Sequence, residues 1–277
     1  MPLWPAVKMR SGAHISTRKI RSWNFSSLIG TLSTSHNWSS PRYEITGTFH
    51  RGHREARHYS MPLLNTPVPG AREFYPLNEP EIGTALSQKD APLLFQPITI
   101  GGVTFKNRIF VSPMCQYSSS DGHATDWHLV HIGGFATRGA GAICLEATAV
   151  VPEGRISPSD AGIWKDSQIA PLKRIVEFCH SQGTKVGIQL AHAGRKASLL
   201  APWIGPVRTA AVDEGGWPDE VYAPSPISYA NDYPLPKEAS EEDMQRVEDA
   251  FADAIVRCEK VGFDFIEIHG AHGYCKG

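Results

Sequence analysis

The spacing of apolar residues from about position 93 onward alternates between that of a buried strand and that of a helix. Short runs that are almost continuously apolar predict strands, and apolar residues three and four positions apart predict helices. The predicted strands are 107–114, 142–151, 185–191 and 262–269, and the predicted helices are 127–137, 167–182 and 241–261. Each helix is followed by a glycine (Gly139, Gly183 or Gly262), which suits the left-handed residue that ends a helix. Ser240 and Asp243 resemble a capping box that begins the third helix.

A shorter pattern precedes this alternation. Three β-rich triplets occupy 93–95, 98–100 and 103–105. The pair Gly101-Gly102 separates the last two triplets, and two glycines at that place predict a hairpin with a tight turn.

Strands that are apolar on both faces and separated by amphipathic helices indicate a parallel sheet of right-handed β-α-β units. A barrel and a doubly wound sheet both fit this order. No GxGxxG motif follows any of the predicted strands, which argues against a dinucleotide-binding sheet. Unusual polar or small residues end each strand, and in a barrel such ends converge on one active face. The predicted fold class is therefore α/β, a (β/α)8 TIM barrel.

Charge and proline content divide the chain into three predicted segments. Residues 1–60 carry a net charge of +7 and many serines, which predicts a disordered leader. Residues 61–92 contain six prolines, five of them before position 90, and are expected to form an extended arm, and residues 93–277 form the barrel domain. The basic leader also fits a mitochondrial presequence, although Pro2, Pro5, Gly12 and Gly30 would break the amphipathic helix that a presequence needs.

Composition argues against several other classes of protein. No apolar run reaches the roughly 18 residues that span a bilayer. The five cysteines are an odd number without a CxxC pair, as expected for free thiols in the reducing cytoplasm. Residues 61–277 carry a net charge of −8, and this acidic part offers nothing for nucleic-acid binding. Self-association into a homo-oligomer stays open.

Candidate chemistry lies at the ends of the predicted strands. Cys115 follows the first strand, where it is either a small buried hydrophobe or a thiol at the barrel mouth, and no local base supports a nucleophile. Tyr117 offers either a phenol donor or a packing ring. Gln189 ends an apolar strand, so its amide needs partners, which a ligand ring with amide and carbonyl edges would supply.

Two further segments carry polar side chains. His192, Arg195 and Lys196 predict a positively charged loop, for which the alternative is an ordinary solvated loop. In HGAHGY, His269 and His272 are either two metal ligands or two donors that hold a carbonyl oxygen, with Tyr274 as a proton donor.

A metal would need further ligands beside the two histidines. The acids near them are Asp264 and Glu267, and Glu267 is expected to point away along the strand. The donor interpretation leaves fewer groups unexplained.

With these residues in place, the stretch 93–274 resembles the old yellow enzyme family of FMN-dependent ene-reductases. The resemblance runs in order through LFQPITIGG, KNRIFVSPMCQYS, EATAVVPEGRIS, GIWKDSQI, GIQLAHAGRKA and GFDFIEIHGAHGY. The cysteine in SPMCQY and the HxxH spacing resemble the thermophilic-like branch of that family. The resemblance implies that NADPH, or less often NADH, reduces FMN, which then reduces the activated C=C bond of an enone or related acceptor.

The resemblance also implies roles for single residues in the flavin site. Pro113, Met114 and Cys115 would lie along the flavin, with the Cys115 thiol modulating its redox potential. The Ala147 backbone and the Gln189 amide would bond the pyrimidine edge of the ring.

The remaining implied roles concern the acceptor. His269 and His272 would bind its carbonyl oxygen, and Tyr274 matches the tyrosine that is discussed as proton donor. Tyr117 would line the substrate pocket and Lys196 would sit at its rim. No metal is implied.

The chain from 93 to 277 holds four strand starts in 185 residues, whereas a complete barrel takes about 250. The resemblance therefore implies a C-terminally truncated barrel without units five to eight, including the family's flavin-facing arginine and phosphate site, and an impaired activity. One alternative is a non-catalytic barrel fragment that acts through exposed strand edges. A less favoured alternative is a metal-dependent hydrolase that uses His269 and His272.

Overall fold

The computed structural model describes residues 80–274. The predicted leader, positions 61–79 of the predicted arm and the last three residues lie outside this range. The helices within it are α1 (Asp126–Ala136), α2 (Ile169–Ser181) and α3 (Glu241–Val261). The strands within it are β1 (Ile98–Ile100), β2 (Val103–Phe105), β3 (Phe110–Val111), β4 (Ala142–Ala149), β5 (Lys185–Ala191), β6 (Tyr222–Ala223), β7 (Lys237–Glu238) and β8 (Phe265–Ile268).

Four of these strands form one parallel sheet in the order β3-β4-β5-β8. The strands lie side by side in chain order, and a helix connects each one to the next. One hydrophobic core joins all three helices to the same alternating positions of the sheet, including Ile143, Leu145, Val186 and Ile188. A doubly wound sheet reverses its strand order and carries helices on both faces. The described residues therefore have the arrangement of successive units of a β/α barrel.

The helix boundaries follow from local chemistry. Ser240 and Asp243 form the predicted capping box, since the Asp243 N–H donates to Ser240 Oγ (3.1 Å) and the Ser240 N–H donates to Asp243 Oδ2 (3.0 Å). Gly139, Gly183 and Gly262 have φ angles of 86°, 67° and 96°. These values lie in the left-handed region, so the predicted helix ends are confirmed.

Strand β3 is much shorter than the predicted strand 107–114. The Asn107 side chain is buried and donates to the carbonyl oxygens of Gly83 (2.9 Å) and Gly139 (2.7 Å), which fixes this residue in a loop. After Val111 the chain reaches Pro113, which has no N–H to give to a ladder. The prediction of a long first strand was therefore wrong.

The predicted hairpin is confirmed for β1 and β2, which pair in antiparallel register with Gly101 and Gly102 at positive φ. The first triplet, 93–95, forms a 3-10 turn after Pro92 instead of a strand. Phe105 of the hairpin lies 4.6 Å from the Phe110 ring and 6.0 Å from the Phe265 ring, measured between centroids. The hairpin thus packs against the N-terminal ends of β3 and β8.

A β-bulge interrupts the pairing of β4 with β5. Leu145 pairs with Ile188 and Ala147 pairs with Gln189, so Glu146 is an extra residue on β4. The bulge lies near the C-terminal end of β4, where the predicted site residues begin.

A long excursion connects β5 to α3 and carries the short parallel pair β6–β7. The Lys237 N–H donates to the Val221 carbonyl oxygen (2.8 Å), and the Ala239 N–H donates to the Ala223 carbonyl oxygen (2.9 Å). These two bonds return the chain to the start of α3.

Candidate active site

The C-terminal ends of the four parallel strands form one edge of the sheet, which we call the C-terminal edge. The register pairs Ala147 on β4 with Gln189 on β5, and Gln189 with Glu267 on β8. The segment that leaves β3 reaches the same edge, because the Gln116 N–H donates to Glu146 Oε2 (2.7 Å). The predicted flavin ligands therefore lie on neighbouring strands.

The Gln189 side chain is 8% exposed and has a protein partner. Its Nε2 donates to Glu267 Oε1 at 2.5 Å. The expectation that Glu267 points away along its strand was wrong, because direct register partners present their side chains on the same face. One N–H of Gln189 is committed to Glu267, which leaves the second N–H and the amide oxygen for another partner.

Cys115 lies beside β4 at the C-terminal edge. The Ala147 N–H bonds to its sulfur, and burial raises the thiol pKa to about 12, with smaller contributions from the charges of Asp160 and Glu146. A thiol with this pKa is protonated at neutral pH, which disfavours a nucleophilic role.

Pro113 and Met114 precede Cys115 along the same segment. Pro113 is half-buried, whereas Met114 is 48% exposed. The Met114 carbonyl oxygen accepts from Gln116 Nε2 (2.8 Å), which folds the segment back on itself and leaves the methionine side chain in contact with solvent.

Tyr117 follows β3 and Tyr274 follows β8, the two outer strands of the sheet, and both tyrosines lie close to Cys115. Burial raises the pKa of both phenols, and Cys115 and Asp160 contribute to each shift. Both hydroxyls therefore keep their protons at neutral pH. The ring of Tyr117 meets Trp203 edge to face at 5.5 Å between centroids.

The HGAHGY segment follows β8 and folds into a compact aromatic group. The His269 ring stacks on Tyr274 at 4.2 Å and meets His272 edge to face at 5.6 Å. Burial lowers the pKa of His269, followed by the neighbouring His272, and Lys196 contributes less. His269 is thus held neutral near pH 7, and a neutral imidazole still provides one N–H donor.

The loop after β5 differs in part from the predicted positively charged loop. His192 is buried, and burial lowers its pKa to about 4, so it is uncharged at neutral pH. Arg195 is bonded to the Ile227 carbonyl oxygen (2.7 Å). Lys196 Nζ lies 4.0 Å from the ring centroid of Tyr229 and 5.8 Å from that of Tyr274. Only Lys196 of the three therefore lies next to the predicted site residues.

Asp160 is a buried acid that the sequence did not single out. Its carboxylate accepts from Ser157 Oγ (2.7 Å) and the Ile156 N–H (2.8 Å). Burial raises its pKa to about 7 despite these bonds, which favour the charged form. It lies in a loop with no periodicity, so the sequence offered no signal beyond its charge.

Metal and membrane binding receive no support from the described residues. No group of three or more His, Cys, Asp or Glu side chains within 80–274 could hold a metal ion. The hydrolase alternative therefore lacks a ligand set in this range. No helix of the same range is long and apolar enough to cross a membrane.

The parallel sheet and its polar C-terminal edge have the arrangement of a β/α-barrel active face, and comparison with known proteins shows to which family the chain belongs. Residues 93–276 match the model of the NADH:flavin oxidoreductase / NADH oxidase family. The chain is 51% identical over 211 residues to an NADH:flavin oxidoreductase of Gibberella zeae, a match that covers 76% of this chain and 51% of that protein. The chain therefore belongs to the NADH:flavin oxidoreductase / NADH oxidase family, which uses FMN and NAD(P)H.

Solved structures place the chain near the old yellow enzymes of this family. It is 27% identical to Old Yellow Enzyme from Pichia sp. AKU4542, with a TM-score of 0.57 over 66% of this chain and 47% of that chain. It is 28% identical to the old yellow enzyme homologue from Zymomonas mobilis, with a TM-score of 0.55 over 66% of this chain and 50% of that one. The chain spans about half the length of the relatives that it matches.

Proposed function

We propose that the protein is an FMN-dependent oxidoreductase that uses NADPH or NADH to reduce the activated C=C bond of α,β-unsaturated carbonyl compounds. The observation on which the proposal depends is that the predicted flavin ligands and the predicted acceptor ligands lie together at the C-terminal edge. Cys115 and Gln189 come from the β3 exit and β5, and His269 with Tyr274 follows β8. Bound FMN supplies the hydride chemistry, and the protein supplies binding, orientation and electrostatics.

The side chains at this edge fit the pyrimidine side of a flavin ring. Gln189 retains an amide oxygen and an N–H, which match a ring edge that carries both donors and acceptors. We assign the Ala147 backbone to the same edge, and Pro113 and Met114 to the apolar surface beside the ring. Cys115, as a neutral thiol, adds a polarisable group without adding charge.

The residues after β8 suit an acceptor with a carbonyl oxygen. We assign His269 and His272 as donors to this oxygen, which makes the β-carbon of the alkene electrophilic. Tyr274 holds a proton on its hydroxyl at neutral pH and is the donor to the α-carbon in this proposal. Tyr117 lines the acceptor pocket and Lys196 lies at its rim.

We also propose a cytoplasmic location. The four cysteines of the described residues are free thiols, as in proteins of a reducing compartment. The alternative of a mitochondrial presequence concerns residues 1–60, which lie outside the described range.

The test is flavin binding followed by two half-reactions. We expect the full chain to bind FMN at one site, measured by quenching of flavin fluorescence. NADPH or NADH should then bleach the visible flavin absorbance without oxygen, and cyclohexenone should restore it. A folded chain that binds FMN but is not reoxidised by any enone would contradict the proposed acceptor.

A non-catalytic role through the sheet edges is the second candidate. Phe110 on β3 is 45% exposed and Ile268 on β8 is 46% exposed, and within the described residues each strand pairs on one side only. A folded chain that binds no FMN and self-associates in size-exclusion chromatography would favour this role.

A further inference from the structure

A buried carboxylate ties β4 to the segment that leaves β3. Glu146, the extra residue of the β4 bulge, is 6% exposed. Its Oε2 accepts from the Gln116 N–H at 2.7 Å, and its Oε1 lies 3.1 Å from His128 Nε2. None of the roles assigned above uses this carboxylate.

A second contact orients the His128 ring. His128 Nδ1 accepts from the Thr125 N–H (3.0 Å), so this nitrogen carries no proton. Nε2 is then the ring nitrogen with an N–H, and it lies 3.1 Å from Glu146 Oε1 and 3.4 Å from Ser119 Oγ. His128 is itself buried and lies in the first turn of α1, so it fixes the orientation of the carboxylate.

The peptide held by Glu146 lies between two proposed site residues. Gln116 follows Cys115 and precedes Tyr117, whose φ is +47°. A bulky aromatic residue rarely adopts this left-handed conformation, which persists only where the surroundings enforce it. The Gln116 N–H bonded to Glu146 and the Gln116 carbonyl, which accepts from Ser118 Oγ (2.9 Å), are described contacts that can hold this strained turn in place, and only the first comes from another strand.

We propose that Glu146 is the positioning residue of the site: by gripping the Gln116 amide, and being oriented by His128, it holds the Cys115 thiol and the Tyr117 ring at the C-terminal edge. The functional part of this inference rests on the proposed flavin site, whereas the grip on the segment does not. The competing account is that Glu146 and His128 form an ordinary buried pair that stabilises the fold as a whole.

Three variants separate these accounts. Glu146→Ala removes the acceptor. Glu146→Gln keeps the shape, but only one of its two terminal atoms can accept, so its amide nitrogen must face either the Gln116 N–H or the His128 ring. Glu153→Gln is the matched control, since Glu153 pairs with Arg246 and has no described contact with 113–117.

The first measurement is alkylation of Cys115, Cys144, Cys179 and Cys258 by iodoacetamide, followed by peptide mass spectrometry on the full chain. In Glu146→Ala we expect Cys115 to react at least about tenfold faster, while Cys144, Cys179 and Cys258 react as in the wild type. In Glu153→Gln all four rates should stay unchanged. An unchanged Cys115 rate in Glu146→Ala would overturn the proposal, and an equal rise at all four cysteines would support the competing account.

The second measurement covers the case in which Glu146→Ala does not fold. Hydrogen exchange of the Gln116 amide should accelerate at least about tenfold in Glu146→Gln, while the amides of β4 and β5 keep their protection. Equal acceleration across the sheet, or none at Gln116, would contradict a local grip.

The link to the flavin site is tested in the same variants. If the wild-type chain binds FMN, Glu146→Gln should weaken FMN binding or raise the KM for cyclohexenone, and Glu153→Gln should do neither. If FMN binds to both equally and the KM is unchanged, Glu146 holds the segment without serving the site, and the functional part of the inference is wrong. If the wild type binds no FMN, the proposed function fails, and alkylation and exchange still decide whether Glu146 grips the segment.

Discussion

Gln189 and Glu267 are direct register partners on β5 and β8, and the Gln189 amide donates to the Glu267 carboxylate at 2.5 Å. A carboxylate only accepts hydrogen bonds near neutral pH, so the NH2 group of Gln189 must face Glu267. This relationship fixes which end of the amide remains available to a ligand.

The first prediction concerns Gln189→Leu. Loss of the amide should weaken FMN binding by about 1–3 kcal/mol, or roughly 5- to 150-fold in Kd, because the leucine offers no partner to the ring edge. Fluorescence titration measures this change, and the melting temperature shows whether the fold is affected. Glu267→Gln is the control for loss of the Glu267 contact alone. A lower melting temperature with unchanged FMN affinity would mean that Gln189 serves only the fold.

The second prediction concerns Cys115→Ala. If the thiol lies beside the flavin, its removal should shift the two-electron reduction potential of bound FMN, and ~1 kcal/mol corresponds to about 20 mV. Equilibrium titration with a reference dye measures the potential. Cys179→Ala, at a buried cysteine of the helix core, should leave the potential unchanged and lower stability only. An unaltered potential in Cys115→Ala would show that Cys115 only packs.

The third prediction concerns the histidines after β8. Replacing His269 or His272 by Ala should slow oxidation of the reduced flavin by an enone about 10- to 100-fold, since each loses a donor to the developing charge, roughly 1.5–3 kcal/mol. Reduction by NADPH should change much less. Stopped-flow spectroscopy separates the two steps, with His131→Asn on α1 as the control. Equal slowing of both steps would point to a damaged flavin site.

The fourth prediction concerns the pH dependence contributed by Asp160. Its pKa is raised from 3.8 to about 7 in the folded protein, mainly by burial. Between these two values the folded state holds a proton that the unfolded state has released, so stability falls as the pH rises from about 4 to about 7. The contribution is on the order of 2–4 kcal/mol.

Asp160→Asn removes this titration. The difference in unfolding free energy between wild type and variant, from urea titrations at several pH values, should grow in favour of the variant across that interval and then stay constant. If the unfolding free energies of wild type and variant instead depend on pH in the same way, Asp160 does not have the raised pKa.

The fifth prediction concerns Gly187 on β5. A Cβ at this position would lie 2.1 Å from a ring carbon of Phe265, so Gly187→Ala should lower the unfolding free energy by about 1–3 kcal/mol. Phe265→Leu in the same chain should recover part of the loss. Gly205→Ala, where a Cβ meets nothing within 4 Å, should have little effect. Equal losses at both glycines would refute the steric explanation.

Much of the fold was predictable from local patterns. The bounds of β5 and α3 were predicted to the residue, because both have clear periodicity and chemically marked ends. The length of β3 was not, since it depends on the bonds from Asn107 to Gly83 and Gly139, which are distant in sequence.

The candidate site was predictable where polarity stood out against an apolar strand, as at Gln189. The direction of Glu267 required the register between two strands, and the neutrality of His192 required knowledge of its burial. The acid Asp160 lies in a loop, where only the folded chain shows that it is enclosed. Local sequence carries none of these three facts.

The bulge at Glu146 reverses the parity of β4. Before it, the odd positions Ile143 and Leu145 face the helices, whereas after it the even position Val150, one residue beyond the end of β4, belongs to the same core. Deleting Glu146 would leave a regular ladder in which Leu145 still pairs with Ile188 and Ala147 with Gln189, whereas pairing Glu146 into the ladder without a deletion would turn every later position to the opposite face. The extra residue in β4 thus determines which side chains at the C-terminal edge face the helices and which face the opposite side of the sheet.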